Sequence, residues 1–288
     1  MVVFVKHENH NPTNAFKARN GLSVLTALSE VGKRRGVVAA TRGNHGLGVA
    51  WAGSLLGVPV TICVPAGNNP EKNEAVLGFG AELIEEGKDY DDAITVAERL
   101  VRERGSRLVH STNDVHVIAG AGTMTLEILE AIPDPGGLDA LVVAVGGDSQ
   151  AVGALTVVRK LRRELAVYAV QAERAPAIHD SWHAGRPIPK SSADTFADGL
   201  ASRNVYAMTF DALREGLKGF VKVSEAEIAE ALRLLLKTTH NLAEGAGAAG
   251  LAGLIKLREP LRGKRVAIVL SGSNIDQATL RRVWMGEI

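Results

Sequence analysis

Short runs of β-branched and apolar residues alternate with longer helical patterns along most of the 288-residue chain, and this alternation restricts the fold more than any other feature. The runs are VVFV from Val2, GVVAA from Gly36, VTICV from Val60, ELI from Glu82, RLVH from Arg107, LVVAV from Leu141, VYAVQ from Val167 and VAIVL from Val266. Most are too uniformly apolar to have a wet face, as expected of parallel strands covered on both sides. Between them, DYDDAITVAERLVRER places Ile94, Ala97, Leu100 and Val101 on one stripe and its charges on the other. Ser224 and Glu227 stand at capping-box spacing, which predicts a helix start there. The pattern predicts an α/β protein built on open parallel sheets, and 31 glycines suit its many strand-to-helix turns. The stretch from Ala172 to Ser202 is expected to be the one long irregular segment.

Composition narrows the partners. With 33 basic and 32 acidic side chains, a net charge of +1, the chain lacks the clustered positive charge that nucleic acid or an anionic membrane face requires. No stretch reaches the roughly 20 apolar residues of a membrane span, and MVVFVKHENH does not read as a signal peptide. The single cysteine, Cys63, lies in an apolar run and reads as a buried, inert thiol, so a reducing, cytoplasmic location is expected.

Four turns sit where a strand leads into a helix, the edge at which open parallel sheets bind ligands. In NHNPTNAFKARNG, Thr13 or Asn14 can cap a helix whose first turn holds Lys17, beside the positive end of the helix dipole. In ATRGNHGLGVAWAG, amides from Gly43 to Gly46 can point at an anion. VGGDSQAVG has the same geometry, with Gly146 and Gly147 allowing close approach to a phosphate. The fourth turn is SGSNID. Each alone is common in α/β proteins, and neither glycine loop has the dinucleotide or nucleoside-triphosphate spacing.

Taken in order, the four turns resemble those of the fold-type II pyridoxal 5′-phosphate enzymes, above all the threonine/serine dehydratases and serine racemase. The resemblance covers nearly the whole chain. It implies two open parallel-sheet α/β domains of the tryptophan synthase β-like kind, a large cofactor-binding domain of residues 1–35 and 116–288 and a small substrate-binding domain of residues 36–115. By this resemblance Pro12-Thr13-Asn14-Ala15-Phe16-Lys17 carries the Schiff-base lysine, Lys17, with Phe16 against the cofactor. Thr41, Arg42, Gly43, Asn44 and His45 form the substrate-carboxylate turn, with Asn44 also on the cofactor's phenolic oxygen. Gly146, Gly147, Asp148, Ser149 and Gln150 form the phosphate loop, and Ser271 of Ser271-Gly272-Ser273-Asn274 faces the pyridine nitrogen. TFADG from Thr195 and AEGAGAAG from Ala243 are weaker matches. A homodimer acting on a small amino acid is implied as well.

The implied chemistry suits these residue types. A lysine released by the incoming substrate is close enough to take its Cα proton, so Lys17 is both anchor and base. Ser271 is too weak an acid to protonate the ring, which favours expulsion of a β-leaving group over a long-lived carbanion. The preferred reading is β-elimination from L-threonine or L-serine to a 2-oxo acid and ammonia. 3-Phenylserine and 3-hydroxyaspartate are alternative substrates, and β-replacement, racemisation or a silent cofactor-binding protein are alternative functions.

Several positions depart from the family pattern. Arg42 replaces a serine that is the racemase's second acid/base, and a guanidinium is a poor proton shuttle. It could instead reach the cofactor phosphate or the Asp148 carboxylate, bind the substrate carboxylate, or face solvent. Asp148 could point to solvent or cap the following helix, and Asn14 and Ala15 replace glycine and serine. The family's metal carboxylates fall on Gln171 and Ala177, so no metal is expected, although Glu173 and Asp180 could substitute. His7, Glu8 and His10 lack the spacing of a zinc site. Family members carry more chain ahead of the lysine, so a shortened N-terminus is expected. No C-terminal regulatory domain, and hence no feedback by isoleucine, is expected either.

Overall fold

The computed structural model describes residues 1–132 and 137–288. The chain divides into two units, one of Met1–His10 with Gly122–Ile288 and one of Asn11–Ala121.

In chain order the strands are β1 (Val2–His7), β2 (Val37–Ala40), β3 (Val60–Val64), β4 (Glu82–Glu85), β5 (Arg107–Leu108), β6 (Ala140–Ala144), β7 (Ala166–Ala172), β8 (Gly219–Val223) and β9 (Arg265–Leu270). The helices are α1 (Lys17–Thr26), α2 (Glu30–Arg35), α3 (Asn44–Leu56), α4 (Pro70–Gly78), α5 (Tyr90–Arg104), α6 (Val115–Ala131), α7 (Ser149–Leu161), α8 (Ala177–Ala184), α9 (Ala207–Gly216), α10 (Glu225–Thr239), α11 (Gly245–Lys256) and α12 (Gln277–Trp284).

In the first unit five parallel strands run in the order β1-β9-β6-β7-β8. Every residue of β6 is buried, and its core includes Val142, Val170, Ile228, Leu232 and Ile268. α10 opens with the reciprocal Ser224–Glu227 capping box that its sequence predicts. The second unit has four parallel strands in the order β4-β3-β2-β5. The predicted α5 stripe lies against one face of this sheet, with Ala97 and Leu100 buried beside Val38 and Cys63. Burial pushes the Cys63 thiol up to about 11, so it stays protonated and unreactive.

Three local expectations change. β8 was not foreseen, because this edge strand pairs only with β7 and keeps Gly219, Val221 and Lys222 half-buried. The segment from Ala172 to Ser202 is not wholly irregular, since it contains α8, an αL-capped helix ending at Gly185. Neither Thr13 nor Asn14 caps α1. Phe16 occupies the cap position without a side-chain bond, while Asn14 takes the left-handed conformation, φ 52°, that asparagine tolerates best after glycine. Residues 11–35, grouped by sequence with the C-terminal half, pack by contact with the second unit. The reason is α1 on α3: a Cβ on Gly48 would stand 2.2 Å from the Lys17 carbonyl oxygen. Only a glycine there lets the two helix backbones meet.

Candidate active site

Lys17 is the first residue of α1 and half-buried, and its Nζ donates to the Ser111 carbonyl at 3.2 Å. Its ammonium also lies 5.0 Å from the centre of the Phe16 ring, a cation–π distance. The Ser111 side chain is hydrogen-bonded at 3.2 Å to the hydroxyl of Tyr90, whose burial raises its pKa. Two histidines complete this neighbourhood. His45 is buried and its Nε2–H donates to the Val109 carbonyl at 2.9 Å, so Nδ1 carries the lone pair. Burial first, and the Lys17 charge second, pull its pKa down to about 3. His110 is lowered by the same two causes, and its Nδ1 accepts the amides of Thr112 and Asn113 at 3.0 and 2.8 Å. Both imidazoles are therefore neutral at working pH.

The turn ahead of α3 is held from within. Thr41 Oγ1 accepts the Gly43 and Gly46 amides at 2.9 and 3.3 Å, and Gly43 itself is extended, φ −179°. Asn44 and His45 thus open α3, at the helix end whose dipole is suited to an anion. Arg42 is exposed.

In the first unit, the loop from Gly146 to Gln150 joins β6 to α7. A Cβ on Gly146 would fall 1.9 Å from the Gly199 carbonyl oxygen, so the loop rests directly on the TFADG segment. That segment is in turn fixed by Glu225 Oε2, which accepts from Thr195 Oγ1 and the Phe196 amide at 3.1 and 2.9 Å. The SGSN turn joins the start of α11 through the Glu244 amide and the Gly272 carbonyl, 3.0 Å apart. Ser271 is buried at the end of β9. Folding therefore assembles the phosphate-type loop, TFADG, AEGAGAAG and SGSN on one unit.

Asp148 satisfies neither expectation made for it. It is 2% exposed, sits at φ 63° and makes no capping bond with its side chain, whose Oδ2 accepts from Thr209 Oγ1 at 2.8 Å. Gln171 is fully buried with its Oε1 accepting the His179 amide at 2.8 Å, and Ala177 is buried, so neither is shaped for a cation. Glu173 is exposed. Asp180 is taken by Lys190 and Lys222, at 2.7 and 3.4 Å. Burial opposes its charge, but the hydrogen bonds from Lys190 and His179 prevail and bring its pKa to about 2. His10 bonds to Asn241 and His7 to Asn9, at 2.6 and 3.3 Å. Among the described residues no group of three or more His, Cys, Asp or Glu side chains is placed to hold a metal.

Residues 1–272 match the family described as pyridoxal-phosphate dependent enzyme. The chain belongs to this family. It is 38% identical over 281 residues to the L-threonine ammonia-lyase of Thermotoga maritima, which covers 98% of this chain and 69% of that protein. Among solved structures it is similar to the processed threonine deaminase isoform 2 of Solanum lycopersicum, with a TM-score of 0.92, 29% identity and coverage of 98% of this chain and 82% of that one. Maize serine racemase is similar too, with a TM-score of 0.91, 27% identity and coverage of 99% and 87%. The chain is thus a two-domain, parallel-sheet α/β enzyme of the fold-type II kind whose cofactor is pyridoxal 5′-phosphate.

The residues present fit that group. Gln150 Nε2 is a buried donor with no hydrogen-bond acceptor among the described residues, at the mouth of a helix where a phosphate would supply one. Sequence reasoning missed Gly48, Tyr90, Ser111 and Thr209. Gly48 was visible as one of two extra glycines in the α3 pattern; Thr209 left no local signal, since it lies 61 residues from its partner.

Proposed function

We propose that this enzyme deaminates a β-hydroxy amino acid, L-threonine or L-serine: water is eliminated across Cα–Cβ, and one water is taken up again as the resulting enamine, through its imine, hydrolyses, so the net products are a 2-oxo acid and ammonia. The observation that carries this reading is the Lys17 amine on the Ser111 carbonyl at the start of α1. Burial first and the Lys17 charge second lower His45 and His110, and burial raises Tyr90, so the Lys17 amine stands among neutral side chains. In its role the amine anchors the cofactor and moves the proton at the substrate Cα. Bound pyridoxal phosphate supplies an electron sink conjugated with that carbon. The amides of residues 146–150 and Gln150 Nε2 would hold its phosphate, Asn44 its phenolic oxygen, and Ser271 a neutral hydroxyl at its ring nitrogen. Thr41 to His45 would orient the substrate carboxylate. Arg42 is exposed, and a guanidinium is a poor proton shuttle, which favours elimination over racemisation.

Similarity to threonine ammonia-lyases supports the same chemistry. Purified protein should be yellow, bleach on borohydride reduction and gain a mass label on Lys17. Lys17→Ala should abolish 2-oxo acid release from threonine, serine, 3-phenylserine and 3-hydroxyaspartate while leaving the circular dichroism spectrum intact. Unchanged release would overturn the mechanism. The reading includes a homodimer in the cytoplasm, checked by light scattering and cell fractionation, and a rate indifferent to chelators. A loss of rate in EDTA restored by Mg²⁺ would reassign Asp180 or Glu173 as a cation ligand.

A further inference from the structure

The loop ahead of α7 turns on an aspartate. At φ 63°, Asp148 adopts the left-handed conformation in which a side chain normally crowds its own backbone. Its carbonyl accepts the Val152 amide at 2.9 Å to start α7, and the Ser149 amide folds back on the Gly147 carbonyl at 2.7 Å, so the left-handed residue sets the course of both ends of the turn. A carboxylate in a loop built for an anion repels that anion unless the charge is committed elsewhere. Here Oδ2 of Asp148 accepts a hydrogen bond from Thr209 Oγ1 at 2.8 Å, and Thr209, on α9, is fully buried. The same hydroxyl is 3.1 Å from the Tyr206 carbonyl, and the shorter distance favours the Asp148 carboxyl as its acceptor. Both groups are shielded from water, where such a bond is hardest to replace.

We infer that Thr209 is a positioning residue: its hydroxyl clamps Asp148 in the left-handed turn and so holds residues 146–150 in the shape that receives the cofactor phosphate. This rests on the phosphate-loop reading given above. The clamp takes over work that a glycine would do through conformational freedom alone, and it aims the carboxylate at α9.

The test uses the full chain with Thr209→Val, which keeps the shape and removes the donor, Thr209→Ser, which keeps the donor, Asp148→Gly, and the double variant Thr209→Val/Asp148→Gly. Hydrogen exchange of the loop amides is measured on apoprotein, and the dissociation constant of pyridoxal phosphate by absorbance titration. Thr209→Val should speed exchange in residues 147–150 and weaken cofactor binding about tenfold, and Thr209→Ser should restore both. In the Asp148→Gly background Thr209→Val should add no more than about a twofold change, the non-additivity of a shared contact. Exchange and affinity within twofold of the parent in Thr209→Val, or losses that multiply in the double variant, would overturn the clamp. If Thr209→Val does not fold, Thr209→Ala, which removes the same donor, decides: faster loop exchange supports the clamp and unchanged exchange refutes it. Failure of the parent to bind pyridoxal phosphate would sink the proposed function, whereas exchange in the apoprotein still tests the clamp.

Discussion

The turn before α3 and the turn before α7 look alike in sequence, each a glycine-containing link from a buried strand to a small-residue helix, yet they are held by different means. The bend of residues 41–45 is set within the turn, where Thr41 Oγ1 receives two of its amides and Gly43 is extended, while the Thr41 amide and the His45 ring reach the Cys63 and Val109 carbonyls at 3.0 and 2.9 Å. Residues 146–150 depend on distant chain, on the Gly199 backbone behind Gly146 and on Thr209 opposite Asp148. A short polar side chain next to a turn can encode it outright. A turn whose geometry is imposed from outside needs glycine for contact and a remote partner for direction.

The largest effect that would break this contrast is steric. Gly146→Ala places a methyl against a backbone oxygen that cannot step aside, so it should cost about 3 kcal/mol or more and lose cofactor binding with it. Gly43→Ala meets only the side chain of Lys72, at 3.3 Å, and should unfold in urea within about 0.5 kcal/mol of the parent. Equal losses in the two variants would remove the distinction.

A pH experiment sharpens it next, because tertiary structure has altered the ionisation of His45 in the first turn. Its folded pKa of about 3 is below the unfolded value, so the unfolded chain binds the extra proton and His45 stabilises the fold above pH 6.5. That stability drains away as pH falls towards 3, amounting to about 2 kcal/mol between pH 7 and pH 5. Urea unfolding of the parent should show this loss and His45→Gln should flatten it. A parallel slope in both proteins would relocate the titration.

The smallest expected change is at Arg42. With Asp148 committed to Thr209 and Arg42 exposed, Arg42→Ser should leave cofactor affinity within about twofold. A tenfold loss would restore a link between the arginine and the phosphate, and a raised KM alone would assign it to the substrate carboxylate.

Legibility followed the range of the forces involved. Uniformly apolar strands such as LVVAV and VAIVL announced themselves, and so did the Ser224–Glu227 box, because burial on two faces and capping both act within a few residues of chain. β8 did not, since an edge strand with Lys222 and Gly219 has no such pattern. The start of α1 was misread because Phe16 caps it with no side-chain bond to betray the position.

By itself the sequence determined the alternating α/β plan, the four strand-to-helix turns, Lys17 at a helix start and the resemblance that names the cofactor. Only the tertiary structure decided that the Asp148 carboxylate turns to Thr209, that His45 and His110 are neutral beside Lys17, and that Gly48 lets α1 lie against α3. The physical reason is common to all three. Each depends on what fills the space around a side chain, on desolvation, a distant donor or a facing backbone, and none of these is written in the residues next along the chain.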